Sequence, residues 1–291
     1  MPLSTTELDV IIPEVWDTQI LNARYATAVI MPRFLNKSDK VKSMGDIVHI
    51  PIMPRWSGGT VTAGTGAFTV EANTLTEAQI TINTWRQVNT EIIDNAQQFA
   101  HTDVLKQLPS DFGRRLAELT DTDIAGLNAD WTTAPVGSTT DPTIFEDKLI
   151  LQAMFSLANN NIPKDGLSWI LAPEAFYLGI FSKDRWTSAE QTGLPKSVLT
   201  TNFRFPILGV PAYESSLVAT VASGAAGVNV RKCFLAHKES LATAMAVNNK
   251  TESIRRTPNL LLSTLVVTQN LYGVITVRAN HVRVINIRAE S

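Results

Sequence analysis

Asp121-x-Asp123-x-x-Gly126 sets two carboxylates ahead of a glycine, the opening of an EF-hand calcium loop. Such a loop needs oxygen ligands at its fifth and twelfth positions too, where Ala125 and Thr132 stand, so the motif reads as a solvated helix end. Cys233 and His237 are a nucleophile and a base four residues apart. No third group is identifiable to orient the base, and a core cysteine is the better account. His49, His101, His237 and His281 lack metal-ligand spacing, so no zinc or other metal is expected. Gly64-x-Gly66 has neither a third glycine nor a following helix and reads as a loop tip. Glu174 and Glu190 have no carboxylate partner of the kind used in glycoside hydrolysis. No phosphate-loop lysine or nucleophile elbow occurs. The expectation is no catalytic residues, no cofactor and no enzyme activity.

The bulk properties agree with a folded structural protein. The chain has 291 residues, 44% of them hydrophobic and 18% charged, which excludes disorder as its main state. No stretch approaches the roughly 20 apolar residues of a membrane helix, and no signal-peptide pattern opens the sequence. A single cysteine fits a reducing compartment, and synthesis in a cytosol is expected. A net charge of -2 argues against tight, sequence-blind nucleic-acid binding by the whole surface.

Along the chain, residues 1–36 read as an extended arm with too few apolar positions for a core of its own, punctuated by Pro2, Pro13 and Pro32. Residues 46–93 read as a long β-hairpin: Val48, Ile50 and Ile52 alternate with polar positions, as do Ile80 and Ile82 on the return. Its glycine-rich tip spans residues 57–66. An isolated ribbon is marginal in water, so it needs a partner surface. Leu105, Leu108, Phe112, Leu116 and Leu119 predict a helix within 94–128, bent or broken at Pro109 and Gly113. A linker follows at 132–142.

A second domain is expected from about residue 143, where Thr143 and Glu146 could form a capping box. Leu149, Ala153 and Leu157 continue that helix. Strands are expected at Leu167–Ala172, Gly209–Tyr213 and Lys232–Ala236, with short helices at 173–181 and 238–245. The tail, Leu260–Ala289, reads as strands turning at Asn280-His281.

This order of elements resembles the tailed-bacteriophage major capsid proteins of the Hong Kong 97 fold. Gly45-Asp46-Ile47-Val48-His49-Ile50-Pro51 is similar to that family's entry to its extended loop. Leu116–Asp123 is similar to the end of its spine helix, and Gly209-Val210-Pro211-Ala212-Tyr213-Glu214-Ser215 to a strand of its axial domain. Leu271-Tyr272-Gly273-Val274 with Val277-Arg278 resembles its closing strands.

The resemblance implies an α+β fold with these parts: arm (1–45), extended loop and return (46–93), spine helix and linker (94–142), axial domain (143–258) and closing peripheral strands (259–291). It implies a non-enzymatic subunit whose hexamers and pentamers close an icosahedral shell around double-stranded DNA. Arm and loop would lie across neighbouring copies. Candidate contacts are Tyr25, Arg33, Ile50, Trp56, Gly58, Gly59, Val61, Phe68 and Trp85. The two tryptophans can equally pair within the ribbon. Candidates for facing DNA are Lys37, Lys40, Arg114 and Arg115, although a solvated face is the simpler reading of the basic run from Arg24 to Lys42.

Two departures refine this. Residues 46–86 contain no lysine, so the isopeptide cross-linking of some members is not expected. No long charged scaffolding region precedes the arm, so a separate scaffolding protein and a portal are the expected partners, without a membrane. An encapsulin-like compartment holding enzyme cargo is the alternative role for the same fold.

Overall fold

The structure is a computed structural model, and it describes residues 28–41, 47–56, 58, 74–94, 108–131, 134–183, 186, 188, 206–223, 228–256 and 262–289. The contact candidates Tyr25, Gly59, Val61 and Phe68, together with Leu105, His101, Glu190, Arg24, Lys42 and most of the hairpin tip, lie outside the described residues.

Two sheets organise the molecule. The first runs β1 (Leu35–Asn36), β9 (Leu241–Arg256), β10 (Ser263–Thr276), β4 (Thr84–Ile93) in spatial order. β10 is its centre, antiparallel to both β9 and β4 along nearly its whole length. The 238–245 segment, expected as a helix, instead turns at residues 239–240 and enters β9. Its Ala- and Met-rich composition favours a helix, but pairing with β10 and burial of Ala242 and Ala244 outweigh that weak preference.

The hairpin is β2 (Ile47–Ile52) with β3 (Thr76–Thr81), paired in register from Ile47↔Thr81 to Ile52↔Thr76. It closes at Thr81, and residues 84–93, expected as its continuation, are the separate strand β4. The period-2 pattern runs across both strands, so alternation alone does not mark the break. Val48, Ile80 and Ile82 pack on Ala242, Ala244 and Leu271. The partner surface the hairpin base needs therefore comes from its own chain.

The spine, α1 (Leu108–Gly126), runs unbroken past Gly113, while the residues before Leu108, where a bend or break at Pro109 would show, lie outside the described residues. Pro109 falls in the first turn, where its missing N–H costs nothing, and Gly113 is tolerated mid-helix. Phe112, Leu116, Thr120, Asp121 and Ile124 form its buried face.

The second sheet orders β11 (Val282–Ala289), β8 (Asn229–His237), β5 (Leu167–Leu171), β6 (Ala212–Glu214), with β7 (Thr220–Ala222) also on β8. β5 is buried at every position, which explains its unbroken apolar reading. The strand expected at 209–213 begins three residues later, because Gly209 (φ +82°) turns the chain. The 134–142 segment is more than a linker: Val136 is buried and exchanges backbone hydrogen bonds with Val284 and Asn286 of β11. The helix α2 (Asp147–Asn159) buries Leu149, Ile150, Ala153, Met154 and Leu157. It starts at Asp147 with no side-chain cap, so the expected Thr143/Glu146 capping box does not form. A π-helical turn at Ala175–Ile180 follows β5.

The arm's end is tied into the main core. Ile30 and Phe34 are buried there, Phe34 stacks on Phe234 at 6.4 Å, and Trp131 meets the same ring edge-on at 4.9 Å.

Candidate functional site

The groups with chemical potential come first. Cys233 is fully buried, its Sγ accepts the Ala172 N–H at 3.2 Å, and burial pushes the thiol up to about 12. A thiol so placed is no nucleophile at neutral pH. Cys233 should stay inert to a thiol reagent in the native protein and react stoichiometrically once unfolded; rapid native labelling would contradict this burial. His237 stands four residues along the same strand, about 13 Å away by extended-chain geometry. Both its ring nitrogens are engaged, with Nε2 to the Asp165 carbonyl at 3.0 Å and Nδ1 accepting the Glu239 N–H at 3.3 Å. The pair forms no catalytic dyad.

The Asp121/Asp123 motif is not the solvated helix end expected from sequence. Asp121 is fully buried and accepts the N–H groups of Ile30 and Met31 at 2.8 and 2.9 Å. Asp123 holds Arg86 through two hydrogen bonds of 2.7 and 3.2 Å and accepts the Tyr272 hydroxyl at 2.5 Å. Burial raises the Tyr272 phenol to about 12. These two carboxylates fasten the spine to the arm on one side and to β4 and β10 on the other. Glu174 pairs with Arg231 at 3.1 Å. Among the described residues no three potential ligands cluster for a metal, and no helix is long and apolar enough to cross a membrane.

The surfaces are more telling. Of the contact candidates, Ile50 is half-buried against the hairpin's own core cluster. Trp56 is 62% exposed, and Gly58 has open space around it. Trp85 lies on β4, 57% exposed, its Nε1 donating to Gln269 Oε1 at 3.2 Å. Arg33 is exposed, its guanidinium 3.9 Å over the Tyr213 ring. His49 is the expected cross-strand neighbour, opposite Gln79 and bonded to Glu77 at 3.0 Å. Arg114 and Arg115 form pairs with Asp111 and Glu118 along the spine, while Lys40 lies 3.6 Å from Asp39. Lys37 and Lys40 border the hairpin strand β2.

One feature sequence reasoning missed is the outer face of α2, where Leu151 and Phe155 are 54% and 70% exposed, one turn apart. Tyr177 and Leu178 of the π-helical turn are exposed too. The signal was present: α2 carries more large apolar residues than one buried stripe can use. Leu151 and Phe155, one turn apart on the same face, form a small exposed apolar patch on α2.

No protein-family model and no curated protein matches the sequence. Solved structures do match, over nearly the whole chain. A chain described as Mycobacterium phage Che8 superposes with a TM-score of 0.78 at 21% identity, covering 94% of this chain and 96% of that one. A chain from the capsid of Cyanophage P-SCSP1u gives 0.72 at 16% identity, covering 99% and 96%. A chain from the Cyanophage Pam1 capsid gives 0.68 at 14% identity, covering 98% of each. The fold is thus the α+β Hong Kong 97-type capsid fold, retained where sequence identity is low.

Proposed function

We propose that this chain is the major capsid protein of a tailed bacteriophage, a subunit with no catalytic task that builds an icosahedral shell of hexamers and pentamers around double-stranded DNA. The observation that carries this reading is the whole-chain superposition on phage capsid chains, at a TM-score of 0.72 over 99% of the sequence for the Cyanophage P-SCSP1u capsid.

In this reading the spine helix and the first sheet form the peripheral domain and the second sheet with α2 the axial one, so β9 (Leu241–Arg256) goes with the peripheral strands and β11 (Val282–Ala289) with the axial ones. The hairpin base docks on its own subunit through Val48 and Ile80, and its far end, with Trp56 and the glycine-rich tip, reaches a neighbour. The absence of lysine from residues 46–86 makes that overlap non-covalent. A net charge of -2 suits weak, non-specific contact with packaged DNA. A separate scaffolding protein and a portal complete the assembly, which takes place in the bacterial cytoplasm.

The test is assembly. The full chain, expressed alone and with its scaffolding protein, should give closed particles of uniform diameter by negative-stain microscopy and sedimentation, and these should dissolve to single chains in boiling detergent. A protein that stays monomeric under both conditions overturns the reading. Particles that form with a co-purifying enzyme cargo and no DNA-packaging partners would transfer it to a compartment shell.

A further inference from the structure

A cleft of about 460 Å³ opens where the Met31–Arg33 turn faces the edge of the second sheet, between the 164–168 turn and the 209–213 segment. Its charge is one-sided. Arg33, Lys164 and Lys238 line it against a single carboxylate, Asp165. Several cations elsewhere are paired: Arg86 with Asp123, Arg231 with Glu174, Arg255 with Asp94, Lys250 with Glu252. None of the three cleft cations has an ion-pair partner among the described residues.

The cations are also positioned by packing. The Arg33 guanidinium carbon sits 3.9 Å from the centre of the Tyr213 ring, and a guanidinium held there has N–H groups that can fork onto an oxyanion. The Lys238 stem runs over Gly166, its Cδ and Cε 3.0 and 3.2 Å from where a β-carbon would be. Gly166 has φ +87°, so this turn favours glycine on two counts. The Lys238 N–H donates to the Gly166 carbonyl at 2.9 Å, locking one turn onto the other. Ser168, only 8% exposed, adds a hydroxyl to the lining. A planar fork, two ammonium groups and a hydroxyl around one cavity match a tetrahedral dianion better than a lone carboxylate, which a single fork would satisfy.

We propose that this cleft binds a phosphate group, presented either by free phosphate and polyphosphates or by the backbone of a nucleic acid. The site does not rest on the shell reading, because it lies within one chain.

Calorimetric titration of the full, unassembled chain with inorganic phosphate, pyrophosphate and a 12-base-pair duplex tests it. Saturable binding of the small anions identifies a free-anion site; binding of the duplex alone identifies backbone phosphate as the source. In either case Lys164→Gln with Lys238→Gln, which keeps both stems, should weaken binding at least tenfold without moving the melting temperature. For the duplex, the salt dependence should shrink by about two released ions. Arg33→Lys keeps the charge and loses the fork, and should bind with intermediate affinity. The control pair Lys250→Gln with Arg256→Gln, on the outer half of β9, should bind like the parent. No binding of any probe by the parent protein, or equal loss in the control, overturns the proposal.

Discussion

Asp121→Ala should destabilise the protein by about 3 kcal/mol and free the end of the arm from the spine. The carboxylate is fully buried and takes the Ile30 and Met31 N–H groups on its two oxygens, with the Val29 N–H contributing as well. Removing it strands buried donors, each costing on the order of 1–3 kcal/mol. Ile30 and Phe34 would lose the anchor that holds them in the core, so hydrogen exchange should accelerate at residues 28–36 before the rest of the chain. Asp121→Asn keeps one acceptor oxygen and sheds the buried charge, and should cost less than half as much. Urea unfolding decides it: an alanine variant within about 0.5 kcal/mol of the parent would mean that the arm is held by its apolar contacts alone.

The same residue sets a pH dependence of unusual sign. Burial holds the Asp121 carboxyl above its ordinary value, against the pull of the backbone donors. Above that raised value both native and unfolded chains carry the carboxylate, and its burial penalty is fully felt. As pH falls through it, the native chain takes up a proton that the unfolded chain does not yet bind. Asp121 therefore adds stability on acidification, from its raised value down to that of a free aspartate. The difference in stability between the parent and Asp121→Asn should shift in the parent's favour across that window.

Gly273→Ala should detach the hairpin base at a cost of about 1–3 kcal/mol. Gly273 pairs with Ala244 in the middle of the first sheet, directly beneath the end of β3. A β-carbon there would overlap the Thr81 carbonyl oxygen and come within 2.9 Å of Ile80 Cγ2. A backbone oxygen cannot rotate away as a flexible side chain would, so the hairpin must lift from Ala242, Ala244 and Leu271. Proteolysis in the 47–81 region should rise, and in the proposed shell the hairpin would miss its neighbour, so particle yield should fall more than stability does. Gly113→Ala is the control: its nearest new contact is Asn249 at 3.9 Å, and in mid-helix it should stabilise by up to about 1 kcal/mol. Equal hairpin protection in both variants would show that β3 does not need this close approach.

These two residues explain how elements with little core of their own hold their places. Neither the arm nor the hairpin contains enough apolar surface to stand alone, which their spacing already said. A single carboxylate and a single missing side chain let their few apolar contacts, Ile30 and Phe34 of the arm and Val48, Ile80 and Ile82 of the hairpin, reach the core. Neither signal is periodic, so neither shows in a hydropathy pattern. Asp121 read as part of a solvated motif because acidic residues are seldom buried, and its partners lie about ninety residues away in sequence.

Sequence alone determined the strands at the base of the hairpin, the buried β5, the closing strands, the core status of Cys233 and, through its resemblance, the fold class. Those features are local, because alternation and apolar runs are written in neighbouring residues. Tertiary structure decided that residues 241–245 enter a strand where a short helix was expected, that Gly113 sits inside an unbroken helix, and that residue 136 bonds to a sheet. It also decided which surfaces stay open: the outer face of α2, Trp56, and the cationic cleft beside Gly166. Exposure and charge balance are sums over residues distant in the chain, so no window of sequence contains them. Local propensity differs between structures by tenths of a kcal/mol per residue, whereas burial and pairing are worth more, and the distant contacts win wherever the two disagree.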